Sequence, residues 1–168
     1  MSSYRHSFRP GCTYFFTLSL RDPQSTLLTR NARLLGESAA DVEGLYPFET
    51  VAAVLLPGHM HLIAVLPEGD KDHFTRIKAL RSGFTRRLAE RLPRRERPIP
   101  DPWKRRYWDY LIRDISDFTA HIAYLHGNPV KHGLAKHPDD WPYSTWHRFK
   151  TEEIAPWSAD DMGTVGEA

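Results

Sequence analysis

The chain has 168 residues, of which 40% are hydrophobic and 12% aromatic, so it is long enough to bury the core of one domain. The sequence has neither a signal-peptide pattern nor an apolar stretch of the roughly 20 residues that cross a bilayer, so we expect a cytoplasmic protein with no membrane partner. The single cysteine, Cys12, excludes an internal disulfide and a thiolate zinc cluster. We predict one domain over residues 1–150 and a C-terminal tail over residues 151–168.

Positive charge is concentrated in residues 76–106. The whole chain has a net charge of +2, but this window holds twelve basic and three acidic residues, a net charge of +9 that leaves −7 for the remainder. Such a region attracts a polyanion such as a nucleic-acid backbone. A solvated helix face followed by a flexible loop has the same composition, so charge alone leaves both interpretations open.

The first half of the chain predicts a strand, a helix and a hairpin. Residues 13–20 are rich in β-branched and aromatic side chains, which is typical of a strand. Apolar residues recur at helical spacing over residues 29–45. Residues 48–56 and 59–66 flank the tight-turn dipeptide Pro57-Gly58, so we expect them to form an antiparallel hairpin.

The second half predicts two further helices around a proline-rich loop. Residues 72–91 combine apolar side chains at helical spacing with a basic remainder, which predicts a cationic amphipathic helix. Four prolines between residues 93 and 102 exclude regular structure there, and residues 107–112 are predicted as a short strand. Asp114 and Asp117 resemble a capping pair at the start of the last helix, which Pro129 is expected to end.

Two histidines open the second strand of the predicted hairpin, in the sequence His59-Met60-His61. Side chains two apart on a strand point to the same face, so both imidazoles can reach one divalent ion. A pair of half-buried histidines is equally compatible with a structural role. A metal site therefore needs a further ligand.

The last predicted helix carries two side chains that can complete such a site. Tyr124 and Asn128 are four residues apart and share a helix face. The Asn128 amide oxygen can join two imidazoles on one side of the ion and leave positions open for substrate, and Tyr124 is then a candidate nucleophile. The alternatives are a packed helix tyrosine and an asparagine favoured before a proline at a helix end.

Several motifs in one order resemble those of the REP-associated tyrosine transposases, single-tyrosine members of the HUH superfamily. They lie at residues 11–17, 56–62, 107–108, 124–134 and 141–145, and the resemblance extends from about Tyr4 to Trp157. It implies that residues 1–150 form a transposase domain of the α+β class, a ferredoxin-like antiparallel sheet flanked by helices.

The resemblance also implies a mechanism and a set of site residues. His59, His61 and Asn128 would hold Mg²⁺ or Mn²⁺. Tyr124 would attack a phosphodiester of single-stranded DNA at a REP-type hairpin, and a 5′-phosphotyrosine intermediate would precede strand transfer. The basic residues expected to contact DNA are Arg5, Arg9, Arg86, Arg87, Arg94, Arg95, Arg97, Lys104, Arg105 and Arg106.

Two other functions stay open at this point. A binding module could hold structured nucleic acid without cleaving it, and it would need neither the metal nor Tyr124. A metal-dependent phosphodiesterase would use activated water as its nucleophile. The oligomeric state is open as well: the resemblance favours a monomer, although related transposases act as dimers that exchange tyrosine helices.

Overall fold

The computed structural model describes residues 6–149, so the predictions for Arg5 and for residues 151–168 lie outside it. Its helices and strands are β1 (Thr13–Ser19), α1 (Leu27–Arg30), α2 (Ala32–Leu45), β2 (Glu49–Leu55), β3 (His59–Val65), α3 (His73–Glu90), β4 (Trp108–Leu111), α4 (Ile115–Lys131) and α5 (Trp146–Phe149). In this part of the chain, every helix is too short or too polar to span a membrane.

The four strands form one antiparallel sheet of order β2-β3-β1-β4. Strands β2 and β3 are the predicted hairpin, closed by a 2.8 Å bond from the Leu56 N–H to the His59 carbonyl. The longer connections carry α1 and α2 after β1, and α3 after β3. This strand order and connectivity are those of a ferredoxin-like fold, which confirms the predicted α+β class.

The sheet separates two hydrophobic cores. On one face Phe16 and Met60 belong to the core that α2 and α3 cover. On the other face Ile63 belongs to the core that Leu125 of α4 completes. Because side chains alternate along a strand, the two histidines of β3 share the face of Ile63 and point towards α4.

Helix boundaries follow the predicted pattern except at Asn31 and at Pro129. There the predicted helix over residues 29–45 divides into α1 and α2, because Asn31 leaves helical geometry at φ −125° and its side-chain amide donates to the Leu27 carbonyl at 2.9 Å. Helix α3 matches its prediction within one residue, with Asp72 as the N-cap. Asp114 caps α4 by accepting from the Asp117 N–H at 2.9 Å.

Helix α4 runs through Pro129, so the prediction that this proline ends the helix is wrong. The helix ends instead at Lys131, and Gly133, two residues further on, adopts the φ of +67° that closes it. The N–H groups of Gly133 and the following residue donate to the carbonyls of Val130 and Pro129, the pairing of a Schellman motif. Proline has no backbone N–H, so the helix loses one hydrogen bond there. A well-capped, buried helix tolerates that loss. Asn128 therefore lies in a continuous helix and faces the sheet.

Residues 141–149 cover the outer edge of β2. The Leu55 N–H donates to the Tyr143 carbonyl at 2.8 Å, and the Thr145 N–H donates to the Ala53 carbonyl at 2.9 Å. The Thr145 hydroxyl also contacts Nε2 of the buried His126 on α4 at 2.8 Å. The segment gives hydrogen-bond partners to backbone groups of an edge strand that would otherwise be exposed. It also connects α4 to the sheet.

Candidate active site

Strand β3 and helix α4 bring the three predicted metal ligands together. The ring centroids of His59 and His61 lie 5.2 Å apart, and His61 is buried with 4% of its surface exposed. Asn128 is fully buried beside them, with its Oδ1 3.2 Å from His61 Nε2. The Asn128 side chain also lies close to the His59 ring.

This arrangement fits a divalent ion. Two ligands held about 2.1 Å from Mg²⁺ at a right angle lie about 3.0 Å apart, close to the observed separation of His61 Nε2 and Asn128 Oδ1. Within residues 6–149, no three His, Cys, Asp or Glu side chains gather in a way that could hold a metal. A site here therefore depends on an amide oxygen as its third protein ligand, as the sequence predicts.

Burial keeps both imidazoles in the form that binds a metal. Burial and the neighbouring His132 lower the pKa of His59 to about 4. Burial and the neighbouring His59 lower the pKa of His61 to about 3. At neutral pH both rings are uncharged and keep a lone pair for coordination, so no proton has to leave before an ion binds.

Thr17 of β1 orients the ring of His61. The two residues are paired in the sheet register, and Thr17 Oγ1 lies 2.9 Å from His61 Nδ1. Phe15 stacks on the same ring at a centroid distance of 5.4 Å. A hydroxyl can donate or accept, so Thr17 can accept from Nδ1–H whenever Nε2 presents its lone pair to an ion.

Tyr124 lies against this cluster from α4. Its ring meets His61 edge to face at a centroid distance of 5.5 Å, and only 5% of its surface is exposed. Lys131, two turns further along the helix, places its Nζ 5.1 Å from the Tyr124 ring centroid. The Asn128 Nδ2 donates to the Tyr124 carbonyl at 3.3 Å, which turns the amide oxygen towards His61. Nucleophile and ligand candidates thus form one unit.

Sequence reasoning missed three neighbours of this unit. Thr17 ends the motif at residues 11–17, and Lys131 and His132 lie in the motif at residues 124–134. The His132 ring is 5.0 Å from that of His59. The only sequence signal for these three residues was that they lie in the motifs. Thr17 is far in sequence from His61, which it contacts, and Lys131 and His132 follow Pro129, the predicted end of the helix.

Two of the predicted DNA-binding residues have partners within the fold. Arg87 donates to the Asp41 carboxylate at 2.6 Å and so joins α3 to α2. Arg97 donates to the carbonyls of Glu90 and Leu92 and so satisfies the end of α3. Both arginines therefore have structural contacts that a DNA contact would have to complement or replace.

The other predicted cations in the described part of the chain are exposed. Arg86 and Arg95 make surface ion pairs with neighbouring glutamates at 3.6 and 3.7 Å, contacts that solvent screens strongly. Within residues 6–149, no hydrogen bond or ion pair engages the side chains of Arg9, Arg94, Lys104, Arg105 and Arg106. These side chains are available to phosphates without loss of a contact in the fold.

A groove of about 910 Å³ separates α3 from residues 97–107. Its walls combine the cations Lys78, Arg81 and Arg105 with the aromatic rings of Phe74 and Tyr107. Because α3 covers the sheet face opposite to α4, this groove and the histidine pair lie on different sides of the sheet. Strand β4 forms the sheet edge between them.

Comparison with known proteins identifies the family. No family model matches the chain. A REP-associated tyrosine transposase from Escherichia coli (strain K12) is 38% identical over 162 residues, which cover 95% of this chain and 93% of the relative. A relative of the same family name from Haemophilus influenzae is 42% identical over 164 residues, covering 93% of this chain and 92% of the relative. The chain belongs to the REP-associated tyrosine transposases.

Solved structures agree with this assignment. A REP-associated tyrosine transposase bound to a REP hairpin matches with a TM-score of 0.83 and 37% identity, and the match covers 100% of this chain and 98% of that one. A transposase structure from Deinococcus radiodurans, at 17% identity and a TM-score of 0.50 over 68% of this chain and 88% of that one, shares the fold. This REP-associated transposase is therefore an enzyme of the HUH transposase type, as the resemblance implies.

Proposed function

We propose that this transposase cleaves and rejoins single-stranded DNA at REP-type hairpins, with Tyr124 as the nucleophile. The observation that carries the proposal is the cluster of Tyr124, His61 and Asn128 between α4 and β3. The substrate class is supported by the structural match at a TM-score of 0.83, a family member bound to a REP hairpin.

His59, His61 and Asn128 would hold the Mg²⁺ or Mn²⁺ that the family resemblance implies. When bound there, a divalent ion supplies Lewis-acid polarisation of a non-bridging phosphate oxygen. The protein's own contribution is orientation. Thr17 holds the His61 ring from one side, and the Tyr124 carbonyl holds the Asn128 amide from the other. Both ligands are thus directed by bonds that do not involve the ion.

In the cleavage step, the Tyr124 oxygen forms a bond to phosphorus as the bond from phosphorus to the 3′ oxygen breaks. The 5′ phosphate stays on the tyrosine, and the departing oxygen takes a proton to become a free 3′-hydroxyl. Negative charge develops on the tyrosine oxygen as it attacks. The Lys131 ammonium, which lies over the Tyr124 ring, stabilises this charge. Attack by a 3′-hydroxyl on the phosphotyrosine reverses the step and joins the strands.

The exposed cations of residues 86–106, together with Arg9, would bind hairpin phosphates. The groove beside α3 is lined by basic side chains, which would attract the phosphates of the hairpin stem. Phosphate contacts of this kind position DNA but do not read its sequence. In this proposal, the α3 side of the sheet binds the DNA hairpin and the α4 side carries out cleavage and rejoining.

The test is covalent trapping. Wild-type protein and Tyr124→Phe are incubated with 3′-labelled single-stranded REP hairpins and Mn²⁺, because the strand 3′ of the cut is the one that stays on the tyrosine, and products are resolved on a denaturing protein gel. We expect a labelled adduct from wild type alone. Tyr46→Phe, an exposed tyrosine at the end of α2, is the matched control and should form the adduct normally.

A denaturing DNA gel, which detects cleavage, and a native binding assay on the same samples separate the competing functions. Equal cleavage by wild type and Tyr124→Phe without an adduct would identify water as the nucleophile and refute the proposal. Binding without cleavage over a range of hairpins and both ions would favour the non-catalytic binding module.

A further inference from the structure

One row of side chains crosses the sheet from the candidate metal site to its edge. The register pairs Thr17 of β1 with His61 of β3 on one side and with Trp108 of β4 on the other. Directly paired residues of antiparallel strands share a face. Trp108 therefore points to the same side as His61, and with strands about 4.8 Å apart their Cα atoms are about 10 Å from each other.

Helix α4 leaves this end of the row uncovered. It crosses the sheet diagonally, since its His121 ring stacks on Tyr110 of β4 at 4.9 Å while His132 lies 5.0 Å from His59 of β3. Trp108 is consequently 44% exposed. Within residues 6–149, no other ring and no hydrogen-bond partner contacts its indole.

Cations border the open corner beside Trp108. The chain segment 104–106 ends one residue before β4 and exposes Lys104, Arg105 and Arg106. The Lys104 N–H donates to the Ser19 carbonyl at 2.8 Å, and Ser19 is paired with His59. The basic segment therefore runs along the sheet edge towards the histidines. Exposed aromatic rings beside cations are the composition of sites that bind single-stranded nucleic acid.

Tyr107 and Trp108 also connect the two sides of the molecule. Tyr107 lines the groove beside α3, and the next residue, Trp108, faces the candidate active site. A strand that leaves a hairpin in the groove has to pass the β4 edge to reach Tyr124. Trp108 lies on that route.

We propose that Trp108 stacks an unpaired nucleobase of the single strand that joins the hairpin to the scissile phosphate. The inference rests on the proposed function and adds a contact to it. The separation of about 10 Å from His61 puts the stacked base within about three nucleotides of the cleaved bond, at the 3.4 Å spacing of stacked bases. The site recognises a π-face and so tolerates any base.

Binding assays with two DNA probes test the proposal. The probes are a bare REP hairpin and the same hairpin with a single-stranded extension, measured without divalent ions so that no cleavage occurs. Trp108→Ala should weaken binding of the extended probe about 10-fold and leave the bare hairpin within twofold. Trp108→Phe should recover most of the loss, whereas Trp108→Leu, apolar but without a ring, should not.

A fluorescent base locates the contact. With 2-aminopurine placed at successive positions of the extension, wild type should quench one or two adjacent positions, and Trp108→Leu should abolish that quenching. Tyr46→Leu, which removes an exposed ring at the end of α2 and away from the groove, is the control and should leave the quenching unchanged. Melting temperatures of all variants check that each one folds.

Three results would overturn the proposal: equal weakening for both probes, recovery by Trp108→Leu as good as by Trp108→Phe, or unchanged binding in Trp108→Ala. The covalent adduct is measured separately, so the two proposals can fail independently. An adduct without a Trp108 effect refutes the stacking contact alone. A Trp108 effect without an adduct supports stacking and refutes Tyr124 catalysis.

Discussion

Helices α3 and α4 cover opposite faces of the same sheet, yet they bury different kinds of side chain. The buried stripe of α3 includes Ile77, Leu80 and Phe84 and the ion-paired Arg76, and its exposed cations are Lys78 and Arg86. Helix α4 buries Tyr124 and Asn128 within its apolar stripe. Buried polar groups are costly unless they are paired, and the Asn128 amide meets His61 across the interface and the Tyr124 carbonyl within the helix.

The contrast separates two properties that a DNA-processing enzyme needs. The α3 side obtains charge from its exposed surface, and any basic side chain of suitable reach serves there. The α4 side obtains geometry from its interior, where His61 and Asn128 contact each other and one further partner each at defined distances. We therefore expect changes on the α3 side to alter affinity and changes on the α4 side to alter chemistry.

The largest effect is expected from His61→Gln. Loss of the imidazole removes a proposed metal ligand, and Lewis-acid catalysis worth several kcal/mol corresponds to about a 1,000-fold slower adduct formation. Hairpin affinity should stay within twofold, because the charged surface is untouched. Adduct rates and filter binding measure the two quantities on one preparation. A parallel loss of affinity would show that the two sides of the sheet are not separable.

Charge removal on the α3 side should give the reverse result. Arg94→Gln with Arg106→Gln should weaken hairpin binding about 10-fold and reduce the slope of log affinity against log salt by up to about 2. The adduct rate at saturating DNA should not change. Arg30→Gln with Arg33→Gln removes the same charge elsewhere on the surface and serves as the control. An equal slope in both double variants would exclude Arg94 and Arg106 from the footprint.

A smaller effect is expected from Thr17→Val, which keeps the shape of the side chain and removes the bond to His61 Nδ1. Loss of such a supporting bond weakens metal binding about 10-fold. Electron paramagnetic resonance titration with Mn²⁺ measures that affinity without DNA. Thr17→Ser keeps the hydroxyl and should bind Mn²⁺ as wild type does. Equal affinity for Thr17→Val and wild type would mean that packing by Phe15 alone orients the ring.

The smallest effect concerns stability in acid. Burial lowers the pKa of His126 to about 3 from an ordinary value of 6.5, so between these values the unfolded chain binds the extra proton. The melting temperature of the metal-free protein should therefore fall as pH drops from 7 towards 4. His59 and His61 contribute in the same direction, so His126→Gln should reduce this dependence without abolishing it, and the exposed His6→Gln should leave it unchanged. A pH-independent melting temperature over this range would contradict burial of neutral imidazoles on the α4 side.

The pattern of apolar residues was enough to predict most of the fold. The β-branched and aromatic composition of β1, the turn dipeptide before β3 and the helical spacing in α3 are local properties, and each indicates its own element. The errors have local chemical causes that periodicity cannot register. Asn31 divides one predicted helix through a side-chain bond, and the cap at Gly133 lets α4 continue past Pro129.

What the sequence by itself determined is the set of reactive side chains and the face that each one occupies. The period of a strand places His59 and His61 together, and the period of a helix places Tyr124 with Asn128. Only the tertiary structure decided that the two pairs meet, because the 3.2 Å contact between His61 and Asn128 joins residues 67 positions apart. The same holds for Thr17 and Trp108, whose place in the row depends on strand pairing, a non-local interaction that no local pattern encodes.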